Sequence, residues 1–344
     1  MAINKRMRAA LRLLSYPAAA DLDKLYKVER AIYQLKAPPL AALYHHWDHV
    51  IESVDGTPIR VRIYTPKQQT DHRILLFFHG GGWVLESVDT YNQVCKALAR
   101  ATGCRVISVE YRRAPEHPFP VALEDCYAAA KTIYQAGEQL GTHGPEDIIL
   151  IGDSAGGNLA AAVSLLARDR GEFEVAHQIL IYPATAADHS ESSPFASVHE
   201  NGEGYLLTAH RVEQFMKLYA GVDDSAYQNP YFAPILMKDL RRQPRTLIIT
   251  AEYDPLRDEG EAYAKALAEA GNAVSCVRML DALHGFISLP ARFVHVKRTH
   301  ALIQDFLGDE TKCADSKNQT GTVLIMRQKS SRQRFTEQTQ QSFD

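Results

Sequence analysis

A chain of 344 residues is long enough to bury one large core, because open α/β sheets often run past the usual ~100–200 residues per domain. Hydrophobic residues make up 46% and charged residues 23%, the balance of a globular protein rather than a fibre or a wholly disordered chain. A formal net charge of −3, with no sustained basic stripe carrying interleaved aromatics, argues against nucleic acid as a partner.

The five cysteines, Cys95, Cys104, Cys126, Cys276 and Cys313, are scattered singly and are odd in number. Reduced thiols in a cytoplasmic protein are the simplest reading. Lys5, Arg6, Arg8 and Arg12 precede Leu13 and Leu14, but Arg12 and Pro17 interrupt the apolar stretch. It falls short of the ~7–15 apolar residues of a secretory signal core. No segment approaches the ~18 apolar residues of a membrane span, so stable membrane insertion is not expected.

Residues 1–45 read as a helical segment, with Leu11 and Leu14, then Leu22, Leu25, Val28, Ile32 and Leu35 at helical spacing and Pro38-Pro39 as the stop. Trp47–Val54 and Ile59–Tyr64 follow as β-rich runs around Asp55-Gly56, a pair that supplies positive φ at little cost. They predict an antiparallel hairpin. From there short apolar runs alternate with helical stretches. The runs are Ile74–Phe78, Val106–Val109, Ile148–Ile151, Ile179–Tyr182, Leu247–Thr250 and Val274–Met279. Helices are expected at Tyr91–Ala101, Val121–Gln135, Gly156–Arg168, Asp258–Ala270 and Arg292–Leu307. Runs apolar on both faces, each followed by a helix, predict a mostly parallel sheet of about eight strands covered on both sides. Residues 188–225 are too long for a simple crossover and predict an insertion in a catalytic unit spanning 46–308. Beyond Gly308 the chain is polar, which predicts a disordered tail over 309–344.

The strand Ile148–Ile151 runs into Gly152-Asp153-Ser154-Ala155-Gly156-Gly157, and a helix follows at once. A G-x-S-x-G pattern in a strand-turn-helix setting presents its serine as a nucleophile. The flanking glycines make room for a sharp turn, and the helix start offers N–H groups to a developing oxyanion. A serine N-cap with glycines for close packing is the plainer alternative. His79-Gly80-Gly81-Gly82-Trp83, directly after Ile74–Phe78, is a second chemistry-bearing stretch. Gly81 and Gly82 are candidate oxyanion-hole donors, with Ala155 as the third. His79 reads as a brace for this loop. A phosphate cradle is disfavoured because the Lys-Ser/Thr ending is missing.

HGGGW at 79–83, YRRAPEHPFPVALED at 111–125, GDSAGG at 152–157, DPLRDE at 254–259 and HGF at 284–286 occur in one order. In this the sequence resembles the hormone-sensitive-lipase-like α/β-hydrolases, including bacterial carboxylesterases and acetyl esterases, over roughly residues 45–307. Arg113 stands where that family more often has an apolar residue, a departure of little expected consequence for catalysis. The resemblance implies an α/β-hydrolase fold with a helical cap built from 1–45 and 188–225. Among Glu252, Asp254, Asp258 and Glu259, all after the strand ending at Thr250, it assigns the catalytic acid to Asp254. Asp258 reads as the N-cap of the next helix, and Glu252 stays as the alternative acid. His284, just past the last strand and beside Gly285, is the candidate base; His295 and His300 read as helix-surface residues.

The expected activity is hydrolysis of small, short-acyl esters through an acyl-enzyme on Ser154, with no cofactor. Trp83, Tyr182, Leu206, Phe215 and Phe286 are candidates for an apolar substrate pocket. No H-E-x-x-H pattern or Cys/His cluster calls for a metal. Apart from a small-molecule ester, the residues indicate no protein partner and no homo-oligomer.

Overall fold

The structure, a computed structural model, describes Leu11, residues 21–35 and residues 46–308. The expected tail over 309–344, Pro38-Pro39 and most of residues 1–20 lie outside the described residues. The hairpin forms as β1 (His46–Glu52) and β2 (Pro58–Tyr64), antiparallel with Trp47 opposite Ile63. Gly56 turns it at φ 78°, and Asp55 accepts the Thr57 N–H at 3.0 Å.

β3 (Ile74–Phe78), β4 (Arg105–Val109), β5 (Ile148–Asp153), β6 (His177–Ile181), β7 (Arg245–Tyr253) and β8 (Val274–Leu283) complete one eight-stranded sheet. Its order is β1-β2-β4-β3-β5-β6-β7-β8, and all pairs from β4 to β8 are parallel. Every side chain of β3 is buried, as its unbroken apolar run predicts. Alternation within that run divides the core. Ile74, Leu76 and Phe78 face the cluster containing α3 (Val121–Gln135), α4 (Ala155–Arg170) and α7 (Arg257–Glu269). Leu75 and Phe77 face α2 (Asn92–Thr102) and α8 (Val294–Gly308) on the other side. His300 on α8 is buried and His295 half-buried, which corrects the surface reading: their helix face turns onto the sheet.

Between β6 and β7 the chain departs from the alternating rhythm for longer than 188–225. It holds α5 (Ala196–Asn201), α6 (Ala209–Ala220) and two short 3-10 turns before β7 begins at Arg245. α6 is capped by Thr208, whose hydroxyl accepts the Arg211 N–H. The N-terminal helix α1 (Leu22–Leu35) is present, but its apolar stripe is not its contact face: Leu25, Val28, Ile32 and Leu35 are exposed and only Leu22 is buried. Leu22, Tyr26 and Tyr33 pack against the core, and polar groups add to their hold. Arg30 donates to the Val84 carbonyl at 2.6 Å, to the Ala114 carbonyl at 2.7 Å and to both oxygens of Glu116 at 2.9 Å. Glu29 pairs with the buried Arg211 of α6, so α1 and the β6–β7 excursion meet. Among the described residues, no helix is long and apolar enough to cross a membrane.

Candidate active site

β5 ends at Asp153 and α4 begins at Ala155, leaving Ser154 alone at the elbow with φ 55° and ψ −122°. A non-glycine residue holds such a backbone only where the surroundings enforce it. Here they do. The Ser154 N–H is tied to the Ile181 carbonyl at 2.9 Å. A Cβ at Gly152 would run into the Gly156 carbonyl, and one at Gly156 into the Phe78 carbonyl. Glycine is therefore required on both flanks by close backbone approach, as the motif implies.

His284 follows β8 and turns through Gly285 at φ 79°. Its Nε2 lies 2.9 Å from Ser154 Oγ, and its Nδ1 lies 2.7 Å from Asp254 Oδ2. Asp254 is fully buried on the loop after β7, and its other oxygen accepts the Leu256 N–H at 2.9 Å. Glu252, the alternative acid, instead accepts the Asp281 N–H at 2.7 Å. Asp258 is not the N-cap of α7, which starts one residue earlier at Arg257. Its carboxylate accepts the Ser197 N–H at 2.7 Å, while its own N–H donates to Ser197 Oγ at 3.1 Å, so it caps α5 across space.

The glycine-rich loop after β3 lies alongside. Gly80 donates its N–H to Asp153 Oδ1 at 3.0 Å. Gly81 and Gly82 hold positive φ values of 105° and 60°, and among the described residues their N–H groups take no intramolecular partner. The Ala155 N–H, in the first turn of α4, has no intrahelical acceptor either. His79 braces the loop as expected: it is buried, its Nδ1 lies 2.8 Å from the Gly80 carbonyl, and its ring stacks on Tyr111 at 4.3 Å. Burial pulls its pKa down to about 4, which keeps it neutral.

A cavity of about 380 Å³ opens over Ser154. Trp83, Leu206 and Phe215 line it, together with Gly81, Gly82 and Ala155. Tyr182 and Phe286 do not, which corrects two of the five expected pocket residues. The Tyr182 ring packs on the His284 ring at 4.7 Å and Phe286 packs edge-on against Tyr182 at 5.0 Å, so both support the histidine from behind.

A family model described as the alpha/beta hydrolase fold matches residues 75–288. The chain is 38% identical over 231 residues to an arylesterase of Saccharolobus solfataricus, covering 67% of this chain and 73% of that protein. It is 37% identical over 279 residues to carboxylesterase NlhH of Mycobacterium tuberculosis, covering 80% and 86%. A solved esterase from the archaeon Pyrobaculum calidifontis superposes with a TM-score of 0.78 at 36% identity, covering 91% of this chain and 99% of that one. The chain belongs to the α/β-hydrolase family, among its carboxylesterases.

Sequence reasoning missed several groups that build this esterase's site. Asp153 accepts from Gly80, from Tyr91 Oη at 2.9 Å and from Tyr182 Oη at 3.3 Å, joining the elbow, the glycine loop and the ring behind His284. Burial raises its pKa to about 6 despite those donors. Its place inside GDSAGG was the only available signal. Arg113, expected to matter little, donates to the Leu85 and Glu86 carbonyls, and both residues line the cavity. Tyr33 of α1 and Leu207 and Val212 of the β6–β7 excursion also line it, and nothing in their local sequence marks them. His189, from the start of that excursion, and Glu259 of α7 form a buried pair at 2.5 Å, with Glu259 also accepting the Thr185 and Ala186 N–H groups.

Proposed function

We propose that this esterase hydrolyses small, short-acyl carboxylic esters through a covalent acyl-enzyme on Ser154. The observation that carries the reading is the unbroken hydrogen-bonded line from Ser154 Oγ through His284 to the buried Asp254. Ser154 Oγ attacks the ester carbonyl while His284 Nε2 takes its proton, and Asp254 holds the Nδ1–H tautomer and stabilises the imidazolium. The Gly81, Gly82 and Ala155 N–H groups receive the carbonyl oxygen as it becomes negative. His284 then returns the proton to the leaving alcohol, and water, activated by the same nitrogen, releases the acid.

The proposed unit is the catalytic body at 46–308, with a cap drawn from 1–45 and 188–225. Supporting the cap are the cavity-lining positions of Tyr33, Leu206, Leu207, Val212 and Phe215. The cavity is at the small end of the ~300–1,000 Å³ typical of ligand sites, which favours short acyl groups over emulsified lipid. Cys95, Cys104, Cys126 and Cys276 are free and buried, in keeping with a cytoplasmic setting.

Labelling with a fluorophosphonate followed by peptide mass mapping tests the nucleophile. The expected adduct is on Ser154, absent from Ser154→Ala, whose kcat should fall by several powers of ten. A Ser154→Ala protein that still labels and turns over would overturn the assignment.

A further inference from the structure

β3 and β5 are parallel neighbours with Ile74 opposite Ile148, so the residues leading into each strand are brought side by side. His72 stands before β3, and His143 and Asp147 stand before β5. His72 Nε2 lies 2.9 Å from Asp147 Oδ1, and the two imidazole centroids are 5.1 Å apart. One ligand atom from each of the three residues lies within 4.8 Å of the other two. We propose that His72, His143 and Asp147 form a binding site for a divalent transition-metal ion of the zinc class.

Two imidazoles and one carboxylate are a borderline-soft N/O donor set, suited to zinc and its neighbours rather than to calcium or magnesium. Bonds of ~2.0–2.2 Å in a tetrahedral site require donors about 3.3 Å apart. The His72–Asp147 pair is already inside that distance, and torsions of two exposed histidine side chains close the remainder. Asp147 is the fixed member. It is buried, and its Oδ2 accepts the His143 N–H at 2.7 Å, which aims Oδ1 at His72. That backbone bond is the outer-shell support a metal carboxylate ordinarily has. The one cation next in sequence, Arg73, directs its guanidinium to Asp71 and to the Leu307 carbonyl. With His72 about half exposed, an ion can enter and keep a water in its fourth position.

The site is far from the ester chemistry. Asp147 precedes β5 and Ser154 follows it, a separation of about 20 Å at the strand rise. A bound ion would clip the starts of β3 and β5, whose far ends lead into the glycine-rich loop and the serine elbow. Its effect belongs to stability, not to turnover. The plainer use of these residues, a His72–Asp147 hydrogen bond clasping two loops, needs the His143 backbone N–H and gives its imidazole nothing beyond a ring contact with His72, so a side-chain change at His143 discriminates.

The test uses the full chain without an affinity tag, stripped by chelator and titrated with Co²⁺ while ligand-field absorption is read, then back-titrated with Zn²⁺. One equivalent of Co²⁺ displaced by Zn²⁺ is expected, together with a higher Tm in Zn²⁺. His72→Ala and His143→Ala should each weaken binding by at least about tenfold and abolish the Tm rise, with p-nitrophenyl acetate hydrolysis unchanged. Asp147→Asn keeps an acceptor for the His143 N–H, so it should fold yet lose the ion. Absence of Co²⁺ bands in the wild type, or undiminished binding in His143→Ala, would overturn the proposal.

Discussion

Asp254, on the loop after β7, and Asp258, in the first turn of α7, lie four residues apart and face different partners, which makes them separable by mutation. Asp254→Asn leaves His284 beside a neutral amide that favours the wrong tautomer, so kcat is expected to fall on the order of ten-thousandfold. Asp258→Asn weakens the bond from the Ser197 N–H and the ion pair with Arg257, and should cost about 0.5–2 kcal/mol of stability, with kcat nearly retained. Steady-state kinetics and urea melts on the two variants check the contrast. Asp153 carries a pH signature of its own. Its folded pKa, raised by burial to about 6, lies above the ordinary aspartate value of 3.8, so its stabilising contribution is complete at low pH and is lost as pH rises through 6. Asp153→Asn lacks that titration. Urea melts of both proteins from pH 4 to pH 7 should show the stability difference moving in the variant's favour by about 2 kcal/mol. A pH-independent difference would show that the carboxyl does not titrate in that window.

α1 shows how an element can be placed against its own apolar pattern. Leu25, Val28, Ile32 and Leu35 face outward, while Arg30 reaches two carbonyls and Glu116 on the body of the molecule. Val84, one of those carbonyl residues, directly follows Trp83 of the glycine-rich loop, and Tyr33 of the same helix lines the cavity. Arg30→Ala should therefore loosen the wall over the substrate more than the reacting groups: KM is expected to rise severalfold with kcat within about twofold. α5 acts from the other side. Its Asn201 amide donates to the Glu252 and Asp254 carbonyls at 3.2 and 3.3 Å, and Ser197 Oγ donates to the Pro255 carbonyl at 2.8 Å. The backbone carrying the proposed acid is thus held by a helix from the β6–β7 excursion. Asn201→Ala should lower kcat with little change in KM, because it frees the acid's backbone while leaving the cavity lining intact.

At the scale of the whole molecule, the cavity over Ser154 is bounded by α1, the β6–β7 excursion and the glycine-rich loop, through Tyr33, Leu206, Leu207, Val212, Phe215, Gly81 and Gly82. Phe215 of α6 packs so closely on Gly82 that a Cβ added there would run into the Phe215 ring. Each methylene added to an acyl chain should raise kcat/KM by about fourfold, from ~0.8 kcal/mol per group, until the cavity is full. Beyond that point overpacking reverses the trend. A p-nitrophenyl ester series should peak at short chains, and Phe215→Ala should move the peak to longer ones. Activity that climbs steadily to long-chain triglycerides, with a jump at interface formation, would contradict this reading.

What the sequence determined by itself was everything carried by contiguous pattern. The apolar runs, the hairpin turn and the glycines around Ser154 each constrain residues a few positions apart, where backbone sterics and strand periodicity act directly. Ser154 and the glycine-rich loop were legible for that reason, whereas the order of motifs left four carboxylates and only the family resemblance singled out Asp254 as the candidate acid. Only the tertiary structure decided which face of α1 turns inward, that Tyr182 and Phe286 back His284 instead of lining the cavity, and that Asp258 caps a different helix. The same holds for Asp153, which gathers donors from the ends of β3 and β6 and from the start of α2, and for His72 meeting His143 and Asp147. Such contacts depend on the sheet order β4-β3-β5-β6-β7-β8, which brings together strand ends as much as about a hundred residues apart. Side-chain hydrogen bonds at those ends are worth only about 0.5–1.5 kcal/mol each and leave no periodic trace along the chain.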